Sequence, residues 1–173
     1  MGIYASGDSE AAFNAIVQSY GERLYWHVSH FTCSHEDSDD LLQEICIKVW
    51  KALPGFRSES SLYTWIYRIA TNETLNFLRK KRLRALLSAE SLETLLDRQA
   101  DEDVHFNGDA LQREVQKAIN ALPDKQKQVF VLRYFEEMPY EEISEITRIS
   151  VGSLKASYHH ASKKVRERLE KIF

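Results

Sequence analysis

Arg68, Asn72, Asn76 and Arg79 are spaced by 4, 4 and 3 residues, so on a helix they share one face. Asparagine offers both a donor and an acceptor, and arginine a permanent fork of donors that suits phosphate. Tyr63, Trp65, Tyr67 and Phe56 are close by in the chain, and aromatic rings stack on unpaired bases. This combination predicts a surface that reads exposed bases and grips their backbone. The run Arg79-Lys80-Lys81-Arg82 extends it. The plainer alternative is asparagines that merely face water, and Trp65 is expected to be core.

A second candidate surface lies between Tyr140 and Glu170. A short helix, the four-residue connection Thr147-Arg148-Ile149-Ser150 and a longer helix make a helix-turn-helix. Ile143, Ile146, Ile149 and Leu154 would hold the two helices at a fixed angle. The second helix then presents Gly152, Ser153, Lys155, Ala156, His159 and His160 to a major groove, where donors and acceptors on base edges can be read. Lys163, Lys164, Arg166 and Arg168 follow, suited to phosphates. His159 and His160 predict that duplex affinity rises as pH falls. A plain helical hairpin with a solvated outer face is the competing reading.

A third surface is weaker. Asp39, Asp40, Gln43, Glu44, Ile47 and Trp50 form the outer face of a helix whose Leu41, Leu42, Ile45, Val49 and Leu53 face inward. Exposed Ile and Trp beside acids suit a protein partner, although a solvated face is the default.

His27, His30, Cys33 and His35 fall within nine residues, but this spacing is not a common zinc pattern, so no metal is assigned. No phosphate loop, Ser/His/Asp arrangement or paired catalytic carboxylates stand out, and neither an enzyme nor a cofactor is expected. Glu136-Glu137 and Glu141-Glu142 read as solvated or helix-start charges.

The elements that position these residues are all helical. Phe13, Ile16, Val17, Tyr20, Leu24, Val28 and Phe31 recur at three- and four-residue steps along one long helix. Ser34 with Asp37 resembles a capping box for a second helix, which Pro54-Gly55 breaks. A third helix starts after Ser58, Ser60 and Ser61. Ser88–Leu96 suggests a short helix, and the acidic stretch 99–108 a linker. Leu111, Val115, Ala118, Ile119 and Leu122 form another stripe, stopped by Pro123, and Asp124 is expected to cap the next helix.

Composition agrees. Apolar residues are 43% and charged residues 28% of 173, a globular balance. No apolar run approaches a membrane span, Met1–Glu10 lacks the pattern of a signal peptide, and two cysteines fit a reducing cytosol. The net charge of −3 hides a pattern: residues 1–60 carry 4 basic and 9 acidic side chains, residues 61–87 carry 6 and 1, residues 88–147 carry 6 and 14, and residues 148–173 carry 7 and 2. Two basic segments each follow an acidic one, which suggests two modules with an anionic partner.

Asp39-Asp40-Leu41-Leu42-Gln43-Glu44, then Phe56 and Tyr63-Thr64-Trp65-Ile66-Tyr67-Arg68-Ile69-Ala70 with Asn72, resemble region 2 of a bacterial sigma factor. Leu122-Pro123, Val129-Phe130-Val131-Leu132-Arg133-Tyr134-Phe135, Tyr140-Glu141-Glu142-Ile143 and Val151-Gly152-Ser153-Leu154-Lys155 resemble region 4. Their order and the short chain are similar to the extracytoplasmic-function group. The resemblance implies an all-α protein of two small helical domains, residues 1–84 and 110–173, joined by a flexible linker at 85–109. It implies a cytoplasmic transcription initiation factor, without stable membrane insertion, whose partners are core RNA polymerase, promoter DNA and an anti-sigma factor. Asp39, Asp40, Leu41, Gln43, Glu44 and Ile47 would bind the polymerase. Phe56, Ser58, Ser60, Trp65, Arg68, Asn72, Asn76, Arg79 and Lys80 would meet the −10 element. Ser153, Lys155, Ala156, His159, His160, Lys163 and Lys164 would meet the −35 element. The free protein is expected to be compact, with its DNA faces partly hidden. A stand-alone helix-turn-helix repressor is the rival, and it leaves the Arg/Asn stripe and the acidic helix without a role.

Overall fold

The computed structural model describes residues 9–102 and 110–171, and among these every regular element is helical. Helix α1 spans Ser9–Thr32. Its stripe buries Ile16, Leu24, Val28 and Phe31, whereas Val17, read as part of the stripe, is turned outward. Helix α2, His35–Ala52, begins where Ser34 Oγ accepts the Asp37 backbone N–H at 3.3 Å, the cap expected from the spacing. A 3-10 turn at Leu53–Gly55 ends it, because proline cannot continue the hydrogen-bond ladder. Helix α3, Leu62–Leu87, is capped by Ser61, whose Oγ accepts the Thr64 N–H at 3.0 Å.

The segment read as a linker holds more structure than its composition suggested. Helix α4 spans Leu92–Glu102, with Ser91 Oγ accepting the Thr94 N–H. Leu96 and Ala100 are buried and pack on Cys33. Four residues of the acidic stretch 99–108 are therefore helical or at a helix end, and its remainder lies outside the described residues.

Helix α5, Ala110–Asn120, ends before Pro123, and α6 spans Asp124–Phe130. The expected cap at Asp124 is not formed. Pro123 takes the cap position without a side-chain bond, and Asp124 sits in the first turn, where its carboxylate meets Arg82. A wider helical turn, Val131–Phe135, follows α6. Helix α7, Tyr140–Thr147, ends on Arg148 at φ 62°, a left-handed residue that turns the chain toward α8, Val151–Leu169. Ser150 caps α8 by accepting the Ser153 N–H, as expected. Ile172, the last member of the predicted α8 stripe, lies outside the described residues.

One core joins the two halves. Ile45 and Val49 of α2 and Ile66, Tyr67 and Ala70 of α3 belong to the same buried cluster as Leu132, Met138, Ile143 and Leu154. A second cluster, with Ile119, Leu122, Phe130, Ala161 and Val165, holds α5, α6 and α8 together. Burying apolar surface on both sides of α3 is what docks the helix-turn-helix on the first three helices.

Candidate functional site

The acidic face of α2 is open. Asp40, Gln43, Glu44 and Ile47 are exposed, and Trp50 adds an exposed ring packed edge-on against Phe13 at 5.2 Å. Asp39 is half-exposed and its Oδ2 lies 3.4 Å from His35 Nε2; the other ring nitrogen of His35 is 2.6 Å from the Tyr25 hydroxyl. Leu41 is the exception among the six expected contacts. It is 1% exposed, because its place on α2 faces the core, so it can support the face but cannot touch a partner.

On α3, Asn72, Asn76, Arg79 and Lys80 are exposed on one side, as their spacing predicts. Arg79 Nη1 donates to Asn76 Oδ1 at 3.4 Å. Phe56 and Trp65 pack ring to ring at 5.0 Å, both partly buried, beside the exposed Ser58 and the half-buried Ser60. Trp65 is thus neither wholly core nor free. Ser58 sits at φ 58°, a left-handed conformation that turns the loop between the 3-10 turn and α3.

The basic run that follows is not a uniform extension of this stripe. Lys81 Nζ donates to Asp37 Oδ2, and Arg82 makes a two-pronged bond to Asp124 at 2.6 and 3.0 Å. Two of the four cations are therefore spent on intramolecular carboxylates.

On α8, Ser153, Lys155, Ala156, His159, His160, Lys163 and Lys164 are all exposed, opposite the buried Leu154, Ala161 and Val165. Lys155 Nζ lies 5.7 Å from the Tyr140 ring centre, a cation–π contact that steadies it at the start of the helix. Lys163 faces Glu167 one turn on, and Lys164 donates to Gln126 Oε1 at 3.0 Å. Both pairs are solvent-exposed and exchange readily for phosphate.

Where the halves meet, Arg68 leaves the α3 stripe. Its Nη2 donates to the Glu145 backbone carbonyl at 2.9 Å, and its Nε is buried without a partner. A cleft of about 700 Å³ lies beside it, lined by Ser60, Ser61 and Thr64 from one side and Glu142, Glu145 and Arg148 from the other. The loop expected to meet the −10 element therefore faces α7.

Two residues at this junction escaped sequence reasoning. Glu136 is not solvated: its side chain is 7% exposed, accepts the Tyr67 hydroxyl at 2.8 Å and lies 3.6 Å from Arg23. Burial raises its pKa above the ordinary carboxylate value, against the pull of the Tyr67 bond and Arg23. Lys127 is fully buried and donates to Asn120 Oδ1 at 2.9 Å, and burial lowers its pKa. Nothing in residues 124–130 signals this, because a lysine in a short helix is ordinarily solvated.

His27, His30, Cys33 and His35 point to separate surroundings. His27 packs against Phe31 and Tyr67, His30 stacks on Phe135 at 3.7 Å, Cys33 Sγ meets Asn120 Oδ1 at 3.4 Å, and His35 binds Tyr25. Among the described residues no group of three or more His, Cys, Asp or Glu side chains is placed to hold a metal ion, and no helix is long and apolar enough to cross a membrane.

Comparison with known proteins agrees with this geometry. The family model for sigma-70 region 2 matches residues 16–84, and that for sigma-70 region 4 matches residues 112–165. The chain is 31% identical to the ECF RNA polymerase sigma factor SigW of Bacillus subtilis, over 96% of this chain and 92% of that protein. It is 29% identical to the ECF RNA polymerase sigma-E factor of Escherichia coli strain K12, over 96% and 90%. In fold it is similar to CnrH, solved in complex with the cytosolic domain of CnrY, at a TM-score of 0.71, 23% identity and coverage of 97% and 93%. It is also similar to RpoE of Bartonella quintana, solved with the anti-sigma factor NepR, at a TM-score of 0.69, 20% identity and coverage of 92% and 97%. With region 2 on α1–α3 and region 4 on α5–α8, the chain belongs to the extracytoplasmic-function sigma factors, transcription initiation factors rather than enzymes.

Proposed function

We infer that this sigma factor binds core RNA polymerase through α2, opens the −10 element on α3 and reads the −35 element with α8. The observation that carries the reading is the separation of three exposed faces on one chain. The α2 acids form one, the Asn72/Asn76/Arg79/Lys80 side of α3 another, and the outer face of α8 the third. An acidic face cannot share a surface with DNA, because like charges repel, so it is free for protein. Asp39, Asp40, Gln43, Glu44 and Ile47 are its contacts, with Leu41 beneath.

In this division of labour residues 1–84 bind polymerase and the −10 element, residues 110–173 bind the −35 element, and residues 85–109 connect them. Phe56, Ser58, Ser60 and Trp65 form the pocket for a base turned out of the duplex, and Arg68, Asn72, Asn76, Arg79 and Lys80 follow the strand. Unstacking a base costs a few kcal/mol, which stacking and hydrogen bonds in such a pocket return selectively. On α8, Ser153, Lys155, Ala156, His159 and His160 face base edges, and Lys163 and Lys164 face phosphates. No bond is made or broken by these residues, since the polymerase carries out the chemistry. Both solved neighbours were captured with an anti-sigma factor or a sigma-binding cytosolic domain, which supports such a partner for this chain in the bacterial cytoplasm.

The test is capture of core polymerase followed by transcription from a pool of promoters. Wild type is expected to bind core and start at a discrete promoter set. Asp40→Arg with Glu44→Arg is expected to lose core binding by about 100-fold, as two charge reversals in one interface cost several kcal/mol. Unchanged capture by that variant overturns the assignment of α2. Tight duplex binding by wild type without any affinity for core overturns the initiation reading itself.

A further inference from the structure

Two histidines lie one turn apart on α1, at the seam between the region 2 and region 4 modules, and the promoter-binding reading gives neither a role. His27 is 0% exposed, and neither ring nitrogen has a hydrogen-bond partner. Phe31 and Tyr67 of its own module pack on the ring, and Glu136 of the region 4 module stands 3.8 Å from its Nδ1. His30 stacks on Phe135 of the region 4 module at 3.7 Å, and the Gln116 side chain on α5 donates to its backbone carbonyl at 3.1 Å. A buried polar ring with no partner is a cost that persists only while the surrounding packing outweighs it. Here that packing is shared: Phe31 and Tyr67 hold the His27 ring from its own module, and Glu136 at His27 and Phe135 at His30 close over the pair from the region 4 module.

We propose that His27 and His30 form an acid-sensitive latch, in which protonating the two imidazoles releases the region 4 module from α1 and uncovers Arg68 and the 58–61 loop. The consequence for promoter binding rests on the function inferred above; the release itself does not.

The charged and titratable groups around the pair set the direction. His27 meets Glu136 from the turn after α6, Tyr67 from α3 and His30 from its own helix, and Arg23 of that helix pairs with Glu136. His30 meets the buried Lys127 of α6, whose charge opposes an imidazolium, and Gln116 of α5. Burial lowers the His27 pKa to about 3 and the His30 pKa to about 4, from an ordinary 6.5. Both rings therefore stay neutral in the packed state, and each takes up a proton on opening once the pH is below 6.5. Packing contributed by the histidines is thus present above pH 6.5 and is lost below it.

Glu136 acts in the opposite sense. Its raised pKa favours the packed state as pH falls, because the buried carboxyl keeps its proton more readily than an exposed one. Two protons are taken up against at most one released. The ratio of packed to open molecules should therefore fall by between about threefold and thirtyfold from pH 6.5 to pH 5.5, because each open-state histidine is already half protonated at pH 6.5.

Small-angle scattering of the full chain at about pH 7.5 and about pH 5.5, with circular dichroism at each pH, tests the latch. The radius of gyration of wild type is expected to rise at acid pH while helicity is retained. His27→Phe with His30→Phe keeps the ring shapes and removes the protons, and is expected to stay compact. Hydrogen exchange on wild type supplies a second measurement should the variant fail to fold. Corrected for intrinsic rate, protection of residues 24–34 and 130–137 should fall together by about threefold or more between pH 6.5 and pH 5.5, while α8 keeps its protection. A wild type that stays compact, a variant that expands in parallel, protection that does not fall, or loss of helicity with the expansion each overturns the proposal.

Discussion

Helices α3 and α8 carry the same outward signal, cations and hydrogen-bonding side chains on one face of an amphipathic helix, yet they present it differently. Every expected contact on α8 is exposed; Lys163 and Lys164 are engaged in solvated pairs and Lys155 lies over the Tyr140 ring. On α3, Arg68 is turned to the Glu145 carbonyl, Lys81 to Asp37 and Arg82 to Asp124. The cause is position in the fold. Helix α3 packs against α1, α2, α4 and α7, so its face is shared among neighbours, whereas α8 packs on α5, α6 and α7 from one side. A basic stripe therefore marks a nucleic-acid face only where no other element of the chain is near enough to claim its charges. In this molecule the face proposed to read the −35 element is exposed in the free chain, and the face proposed for the −10 element is partly occupied by its own protein.

The largest effect expected from this contrast is on α3. Asn72→Ala with Asn76→Ala should leave capture of core polymerase intact and reduce promoter opening by about 100-fold, at about 1–3 kcal/mol for each lost base contact. Permanganate reactivity of unpaired thymines in the holoenzyme complex measures it. Opening at the wild-type rate would show that the exposed side of α3 is merely solvated. A smaller change is expected on α8. Lys155→Ala with Lys164→Ala should weaken promoter binding by the holoenzyme by about tenfold and flatten its salt dependence by about two ions. An unchanged salt slope would place the phosphate contacts elsewhere. The smallest concerns the cations already spent. The Arg82–Asp124 pair is partly exposed, so Arg82→Ala should lower stability by no more than about 1 kcal/mol in thermal unfolding. A larger loss would mean that this pair carries much of the contact between modules.

Much of this was readable along the chain. The caps at Ser34, Ser61 and Ser150, the breaks at Pro54 and Pro123 and the stripe of α8 are local signals, because a cap or a three-to-four-residue period acts within a turn or two. The same locality explains what was missed. Glu136 and Lys127 look like surface residues in their own segments, and their buried surroundings include residues distant in the chain: Tyr67 and Arg23 for Glu136, Phe31 for Lys127. Asp124 looks like a cap until Pro123 takes that position and Arg82 takes its carboxylate. The segment 85–109 reads as a linker because its pattern loosens and residues 99–108 are acidic and aperiodic, yet Leu96 and Ala100, with Leu92 beside them, seat α4 on Cys33.

The sequence by itself therefore determined the helices, their order and the faces that carry charge, since spacing along a helix needs no knowledge of its neighbours. Which of those charges remain available was decided by the tertiary structure. The free energy of a charge depends on what lies within a few ångströms of it, and for Arg68 and Glu136 those neighbours come from the other half of the chain.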